Sequence, residues 1–335
     1  MSSVGIIANP ASGKDIRRLV AHASVFDNNE KINILQRVLL ALDAIGVERV
    51  SFMLDYYGLG ERALDGVKLA TVKADILEMP VTSTDQDSTE AAARLCQMGV
   101  SSIIVLGGDG TNRAVAKACV DVPLVPISTG TNNVFPTMVE STVAGLAAGL
   151  LALEAVQADD VTYRAKRLEV YLDDELADIA LVDVVTSADL WIGTRAIWDP
   201  AHLQEIVLAR AEPGSIGMSS IGSCFQAVSA HDDHGMYLSL GPGGTQVLAP
   251  MGPGLVTRVS IQEHHLLPIG SEIILNRNAS TIAVDGERQI EIYSKRKIAV
   301  RLTRQGPRVV DISRCMAEAT RRGVFQRLGQ SSKGL

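Results

Sequence analysis

The segment GGDGT (residues 107–111) combines three glycines, a carboxylate and a hydroxyl in five consecutive positions. Without a Cβ, Gly107, Gly108 and Gly110 would let phosphate oxygens come close to main-chain N–H groups. Asp109 does not suit a simple phosphate site, because a carboxylate repels phosphate unless a metal ion bridges the two or the acid accepts a proton. The pattern therefore indicates phosphoryl-transfer chemistry. The alternative is a tight strand-to-helix turn in which Asp109 caps locally.

Two more polar loops follow strand-like segments: ANPASGKD (residues 8–15) and STGTNNVFP (residues 128–136). Both supply donors that phosphates need, and Lys14 adds charge. Because Lys14 precedes Asp15, the first loop is not a Walker A loop, and no G-x-G-x-x-G follows a strand-like run. Each loop alone could be a surface turn, but the three together favour nucleotide binding. The expected nucleotide-contacting residues are Asn9, Ser12, Gly13, Lys14, Gly107, Gly108, Gly110, Thr111, Asn112, Thr129, Gly130, Thr131, Asn132 and Asn133.

The elements that must position these loops alternate between strand and helix. Helical periodicity is clear in the stretch that carries Leu35, Val38, Leu39, Leu42 and Ile45. The strand-like runs are VGIIA, RVSFML, ILEMPV, IIVL and LVPI, which begin at residues 4, 49, 76, 103 and 124. This alternation predicts an α/β domain over residues 1–160, with a parallel sheet covered by helices on both faces. The three loops would share one sheet edge, with Thr111 as the N-cap of a helix from Asn112.

After about residue 160 the pattern changes to strands joined by short turns. These strands are RLEVYL, LADIALVDVV, GMYLSLG, GLVTRVSI, EIILNR, TIAVDGERQIEIY and KIAVRL. They predict a second, mostly antiparallel β-rich domain over residues 161–310. The tail, residues 311–335, has a helical pattern and is expected to pack back on the first domain. The most apolar window, STVAGLAAGLLALEAV from residue 141, is too short for a membrane span and is expected to form a buried helix.

Composition narrows the range of partners. The 335 residues are 47% hydrophobic with a net charge of −7 and no basic run, which argues against a nucleic-acid or anionic-membrane surface. The four cysteines are widely spaced and no secretory leader follows Met1, so we expect a cytoplasmic protein. We also expect a small-molecule substrate and a homo-oligomer, although the sequence does not fix the number of subunits.

At its three loops the chain resembles the superfamily of NAD kinases and diacylglycerol or sphingosine kinases, and within it the acetoin-catabolism protein X group. The segments NPASGK and GTNN are closer to the lipid-kinase branch. The resemblance implies a two-domain architecture in which the GGDGT segment closes over ATP between the domains, with Mg²⁺ as the accompanying ion.

The resemblance also points to substrate-side residues in the second domain. NAD kinases carry Asn-Glu or Asn-Asp where this chain has Val182-Asp183, so only the acid is kept. An isolated buried carboxylate costs several kcal/mol, so we expect Asp183 to face a polar cleft; the alternative is an edge-strand residue that points to water. The Gly-rich segment from residue 239 to 254 resembles the loop that NAD kinases wrap around their substrate, but it lacks their tyrosine, and the nearest aromatic is Tyr237. Its expected substrate-binding residues are Gly243, Gly244 and Thr245.

The segment AVDGERQIEI is predicted to form a tight hairpin at Asp285-Gly286. Lipid kinases of this superfamily carry D-G-E there, so the resemblance makes Glu287 a competitor of Asp109 for the role of catalytic base. The segment SAHDDHG (residues 229–235) is interpreted as a solvated turn rather than as a metal site.

These features predict an ATP-dependent kinase that phosphorylates a hydroxyl of a small molecule, with NAD as the first choice of acceptor. Asp109, Glu287 and Asp183 are its candidate catalytic residues. A lipid or polyol acceptor, polyphosphate as donor, and a non-catalytic nucleotide-binding regulator remain open alternatives.

Overall fold

The fold is known from a computed structural model that describes residues 2–13, 22, 26–119, 121–130, 132–188, 202–276, 279–286, 288–292 and 296–331. The elements of the first half are β1 (Ser3–Ala8), α1 (Asn28–Ala44), β2 (Arg49–Phe52), α2 (Leu59–Asp65), β3 (Lys73–Ile76), α3 (Asp85–Gln97), β4 (Ser102–Gly107), α4 (Asp109–Ala118), β5 (Leu124–Ser128), α5 (Ser141–Ala152) and α6 (Ala158–Val161).

The second half is dominated by strands. Its elements are β6 (Thr162–Arg164), β7 (Arg167–Leu172), β8 (Glu175–Ala180), β9 (Asp183–Ser187), β10 (Leu203–Leu208), α7 (Met218–Ser223), β11 (His234–Gly252), β12 (Leu255–Pro268), β13 (Glu272–Leu275), β14 (Thr281–Val284), β15 (Arg288–Glu291), β16 (Ile298–Thr303), β17 (Arg308–Val310), α8 (Ile312–Arg321) and α9 (Val324–Ser331).

The first sheet is parallel through most of its width, as predicted. In the described residues its strand order is β3-β2-β1-β4-β5-β17-β6, and only β6 runs antiparallel to its neighbour. Alternate residues of β4 point to opposite faces: Ile104 and Leu106 pack against α1 and α5, whereas Ile103 and Val105 pack against α3 and α4. The central strands β1, β4 and β5 are therefore buried on both faces, which explains why they are almost continuously apolar.

The second half forms the predicted antiparallel β-rich part. Two sheets, with the orders β12-β11-β10-β9-β14-β15 and β13-β16-β7-β8, are described, and all their pairings are antiparallel. A core that includes Leu168, Val184, Ile282 and Val300 lies between them. The predicted domain boundaries at residues 160 and 310 stay a prediction, and β6 and β17 both pair within the first sheet.

Four local expectations were wrong. The strand expected at ILEMPV lies earlier, at β3. The helix expected from Asn112 begins at Asp109. Its N-cap is Gly108 rather than Thr111, because Gly108 is the extended residue that precedes the first helical residue, and it makes no side-chain cap. The single strand LADIALVDVV is divided into β8 and β9, which belong to different sheets. The Gly-rich segment from residue 239 to 254 lies mostly in the long strand β11.

The tail and the apolar window are helical. α5 is the buried helix expected at the apolar window, and Cys315 of α8 packs in the same core as α5. Among the described helices, none combines the length and the apolar character needed to cross a membrane.

A disulfide joins Cys96 of α3 to Cys119 at the end of α4, with Cα atoms 6.4 Å apart. The two helices pack together on one face of the sheet, where the Thr89 hydroxyl also donates to the Ala114 carbonyl at 2.9 Å. Nothing in the spacing of the cysteines indicates this bond, because it depends on how α3 and α4 pack.

Candidate functional site

The three polar loops meet at one edge of the first sheet. They follow β1, β4 and β5, which are parallel neighbours, so their carboxyl ends lie side by side. Such an edge is where ligands bind in open α/β sheets. The structure therefore brings together the three segments that the sequence analysis selected.

Asn9 links the first loop to the second. Its backbone N–H donates to the Leu106 carbonyl at 3.1 Å, and its side-chain Nδ2 donates to Thr111 Oγ1 at 3.0 Å. Its Oδ1 accepts the Ala11 N–H at 2.8 Å, and the Ser12 hydroxyl donates to its carbonyl at 2.8 Å. Asn9 is thus a structural link as well as a candidate ligand residue. Lys14 lies outside the described residues.

Glycines let the loops touch one another. Gly13 has a φ of +70°, and a Cβ there would lie 2.7 Å from the Thr129 carbonyl of the third loop. A Cβ on Gly108 would lie 2.8 Å from Asn133 Oδ1. We expected the glycines of GGDGT to leave space for phosphate, but at Gly108 that space is taken by Asn133. The missing side chain serves contact between loops there.

Asp109 holds the third loop. Its Oδ1 accepts the N–H groups of Val134 at 3.1 Å and Phe135 at 2.7 Å, and its Oδ2 also lies 3.1 Å from the Val134 nitrogen. The residue is only 8% exposed. The carboxylate at the start of α4 therefore braces the loop after β5, in addition to any chemical role.

The third loop is tied internally and retains buried polar groups. Asn133 Nδ2 donates to Ser128 Oγ at 2.8 Å and to the Gly130 carbonyl at 3.3 Å. In the part of the chain that the structure describes, Thr129 Oγ1 and Asn112 Oδ1 are buried without a hydrogen-bond partner. An unsatisfied buried polar atom costs about 1–3 kcal/mol, so this edge carries unused hydrogen-bonding capacity. Gly110 and Thr111 lie in the first turn of α4 and Asn132 lies in the third loop, whereas Thr131 is outside the described residues.

Asp183 is the first residue of β9, which lies between β10 and β14, and it is 6% exposed. The alternative of an edge-strand residue that points to water is therefore wrong, and the polar cleft stays a prediction. The turn between β14 and β15 fixes the backbone beside it. The Asp285 carboxylate accepts N–H groups from Leu181, Val182 and Asp183 at 2.8–3.3 Å. Burial raises the pKa of Asp285, and the nearby charge of Arg113 and these N–H donors partly oppose that rise.

The predicted hairpin is confirmed, with positive φ at Asp285 and at Gly286. Glu287 lies outside the described residues.

Arg113 was missed by the sequence analysis. It lies on α4, is 3% exposed, and donates from Nη1 to the Val284 carbonyl at 3.4 Å. One turn later, Lys117 pairs with Asp178 of β8 at 2.7 Å, and Arg113 Nη1 lies 3.9 Å from the same carboxylate. The available signal was the presence of two cations four residues apart in the second half of the helix, where the other residues are alanines and a valine. They connect the helix that begins at Asp109 to the β-rich part.

Arg210 makes a second connection, which also was not anticipated. Its guanidinium lies over the Phe135 ring, 4.8 Å from the centroid, and its Nη1 is 3.5 Å from the Val134 carbonyl. These are the residues whose N–H groups Asp109 holds. The third loop is therefore contacted from both halves of the molecule.

The expected substrate loop is a bulged hairpin. Leu240 and Thr245 of β11 both face Ile261 of β12, so residues 241–244 are extruded from the ladder. Gly243 and Thr245 are exposed, and the Gly244 N–H donates to Ser260 Oγ at 3.2 Å. At the far end of this hairpin, the Pro253 carbonyl accepts the His22 N–H at 3.2 Å. The hairpin thus reaches the segment that follows the first loop.

Other candidate groups have structural partners. Burial raises the pKa of Tyr237, and the hydrogen bond that its hydroxyl donates to Glu205 at 2.7 Å raises it further. Asp232 accepts the Ser229 N–H, and Asp233 pairs with Arg304. Among the residues that the structure describes, no group of three or more His, Cys, Asp or Glu side chains could hold a metal ion.

The comparisons with known proteins match the α/β part and the β-rich part of the chain to two different family models. Residues 4–155 match the ATP-NAD kinase N-terminal domain, and residues 166–305 match the acetoin catabolism protein X C-terminal domain. The chain is 37% identical to acetoin catabolism protein X of Cupriavidus necator, over 98% of this chain and 95% of that protein. Among solved structures, it is similar to a provisionally assigned diacylglycerol kinase of Bacillus anthracis str. Sterne, with 13% identity, a TM-score of 0.49, and coverage of 92% of this chain and 95% of that one.

Proposed function

The chain belongs to the acetoin catabolism protein X family, and from this premise we propose that it is an ATP-dependent kinase that phosphorylates a hydroxyl of a small molecule. The observation that carries the proposal is the meeting of three polar loops at the carboxyl edge of β1, β4 and β5. The N-terminal half matches an ATP-NAD kinase N-terminal domain over residues 4–155, and this match supports the proposal that the edge binds ATP.

In this proposal the three loops bind the phosphates of ATP. The first loop contributes Asn9, Ser12, Gly13 and Lys14, the second contributes Gly107, Gly108, Gly110, Thr111 and Asn112, and the third contributes Thr129 to Asn133. The start of α4 adds the positive end of a helix dipole, which favours anions. When ATP is bound, Mg²⁺ would be held mainly by its phosphates and water, with one or two carboxylates, and would neutralise charge on the phosphates.

Three acids are proposed for the chemical step. Asp109 lies at the edge itself and is the first candidate for the base, and Glu287 follows the turn that holds Asp183 in place. A carboxylate has about four acceptor sites, so the bracing of Val134 and Phe135 by Asp109 and the acceptance of a proton are compatible. Asp183, Gly243, Gly244 and Thr245 are proposed on the acceptor side.

NAD is the first acceptor to test, because the N-terminal match is to an ATP-NAD kinase domain. A lipid or polyol acceptor is the alternative. It is favoured by Val182 where NAD kinases carry Asn, and by the absence of their tyrosine from the Gly-rich segment. The nearest aromatic, Tyr237, already donates its hydroxyl to Glu205. Polyphosphate in place of ATP is a further option for the donor. We also place the protein in the cytoplasm, as a homo-oligomer, within this proposal.

A second candidate function is a nucleotide-binding regulator without turnover. The observation that favours it is the structural use of Asp109, whose carboxylate holds the third loop. A protein that only binds nucleotide would keep that brace. The two functions therefore differ in whether phosphoryl transfer occurs.

A product screen separates them. The full-length protein is incubated with Mg²⁺ and either ATP or polyphosphate, together with NAD, NADH, diacylglycerol or acetoin-related polyols, and products are identified by mass spectrometry. We expect one phosphorylated acceptor with ATP, and NADP formation would identify NAD. If ATP binds at micromolar concentration but no acceptor is phosphorylated, the kinase proposal fails and the regulator is supported.

A further inference from the structure

Arg210 is a buried arginine that contacts the third loop from the β-rich part. It follows β10 and is only 4% exposed. Its guanidinium lies over the Phe135 ring, and its two terminal nitrogens donate to the Val134 carbonyl and the Tyr163 hydroxyl, each at 3.5 Å. Because burial of a cation is costly unless such groups face it, the guanidinium is confined to this position.

One peptide group connects Arg210 to Asp109. The Val134 carbonyl accepts from Arg210 Nη1. The Phe135 N–H, which belongs to the same peptide group, donates to Asp109 Oδ1 at 2.7 Å. In a trans peptide these two groups point in opposite directions, and the described residues contain no cis peptide bond. A cation and a carboxylate therefore hold this peptide from opposite sides.

The two charges strengthen the same contact. A cation beside the carbonyl oxygen polarises the peptide, which makes its N–H a better hydrogen-bond donor to the carboxylate on the other side. In agreement with this, the Phe135 N–H lies closer to Asp109 than the Val134 N–H does, at 2.7 Å against 3.1 Å. The orientation of the Asp109 carboxylate therefore depends on Arg210.

The ring of Phe135 extends this dependence to the packing between the two halves. The ring is buried with Ala116 of α4 and Leu181 of the β-rich part. Arg210 lies 4.8 Å from its centroid, within the range in which a cation is attracted to an aromatic ring. Since Arg210 comes from the β-rich part, the Asp109 carboxylate is held in this orientation only when that part is docked on α4.

We propose that Arg210 is a positioning residue for Asp109, which it holds through the Val134–Phe135 peptide in the orientation that the chemical step uses. The proposal rests on the proposed function, in which Asp109 is the first candidate for the base. Arg210 acts through the peptide and touches neither the nucleotide nor the acceptor.

A double-mutant cycle in the full-length protein tests this role. Arg210→Met removes the guanidinium, Asp109→Asn removes the charge of the acid, and the double variant completes the cycle. kcat is measured with the acceptor that the product screen identifies. The unfolding constant of the same four proteins is measured by chemical denaturation.

We expect Arg210→Met to lower kcat by roughly tenfold, because small displacements of a reacting group have effects of this size. In the Asp109→Asn background the same substitution should lower kcat by less than about twofold, since the positioned group has already lost its charge. The double variant should raise the unfolding constant about fivefold less than the product of the two single effects. Arg210→Lys should recover part of kcat, because it restores a cation.

Arg304→Met is the matched control. Arg304 also lies in the β-rich part, where it donates to the backbone carbonyls of residues 230–232 at 2.7–3.3 Å. Its replacement should raise the unfolding constant and leave kcat unchanged in both backgrounds.

A wild-type kcat in Arg210→Met would overturn the proposal, as would a loss of kcat that is equal in the two backgrounds. Equal behaviour of Arg210→Met and Arg304→Met would show a role in stability alone and would overturn it too. If Arg210→Met does not fold, Arg210→Gln, which lacks the charge but keeps an amide donor, takes its place. If the wild type phosphorylates no acceptor, the proposed function fails, and the unfolding cycle decides whether Arg210 holds Asp109; additive effects would overturn that link.

Discussion

Asp109 holds a loop and is also a candidate for the catalytic base, and experiments on this single residue can separate the two roles. It accepts N–H groups from Val134 and Phe135, so its loss must affect the loop after β5. It also lies at the strand edge where the proposed reaction takes place. From the sequence alone, Asp109 could be either a local cap or a catalytic acid. The structure adds that the brace spans two loops rather than one turn.

Asp109→Asn keeps the shape of the side chain, retains one acceptor oxygen and removes the charge. We expect the free energy of unfolding to fall by about 1–2 kcal/mol, because one N–H contact is impaired. We expect kcat for the identified acceptor to fall by about a hundredfold or more, the usual scale for loss of a general base. Thermal unfolding and steady-state kinetics on the same preparation measure both.

Asp43→Asn is the matched control. The Asp43 carboxylate also accepts backbone N–H groups, from Ala70, Thr71 and Val72 at 2.7–3.1 Å, but outside the three loops. It should be destabilised with kcat unchanged. An Asp109→Asn protein that behaves like this control, destabilised but active, would refute the catalytic assignment.

Lys166 provides a prediction of pH dependence. It is 1% exposed and donates to the carbonyls of Ser229 at 2.8 Å and His234 at 2.6 Å. Burial, followed by the charges of Arg210 and Arg304, lowers the pKa of Lys166 from 10.5 to about 8. Between these two values the unfolded chain binds more protons than the folded protein, so this group increases stability as pH rises from about 8 towards 10.5.

The contribution of Lys166 has a ceiling of about 1.4 kcal/mol per pH unit, and with solvent screening we expect about half of that. Chemical denaturation at several pH values should therefore give a smaller rise, or a larger fall, in stability with pH for Lys166→Met than for the wild type. Lys297→Met, which removes a surface ion pair with Asp174, is the control and should keep the wild-type slope. Equal slopes for wild type and Lys166→Met would contradict the prediction.

At the scale of elements, the strands that carry the loops could be predicted from the sequence, because each apolar run and the glycines that end it lie within one short segment. Other features depend on contacts between distant residues. The break between β8 and β9 is stabilised by Asp285, about a hundred positions later in the chain, which accepts the N–H groups of Leu181 and Val182. The apolar run itself gives no sign of that break.

The same reason explains the other misses. In the sequence, the β11 half of the bulged hairpin looks like a loop, because it contains many glycines and prolines. In the structure, pairing with β12 keeps this segment extended. Lys31 resembles an ordinary surface residue of an amphipathic helix, and its burial follows only from the path of the first loop. Local turn chemistry was readable at Asp285-Gly286, where both residues have positive φ.

At the scale of the whole molecule, the two halves are coupled at the elements that shape the proposed site. Arg113 reaches from α4 to Val284, and Arg210 reaches from the β-rich part to Phe135. The hairpin end at Pro253 contacts His22. A ligand bound at the three-loop edge would therefore lie close to elements that contact both halves of the molecule.

The central claim is that the three-loop edge is where the nucleotide phosphates bind. Hydrogen–deuterium exchange of the full-length protein, with and without saturating Mg²⁺ and ATP, tests it most directly, since exchange reports which backbone N–H groups a ligand protects. We expect protection to be concentrated in peptides that contain residues 8–15, 107–112 and 128–135. Binding of ATP with protection elsewhere, and none in these three segments, would contradict it.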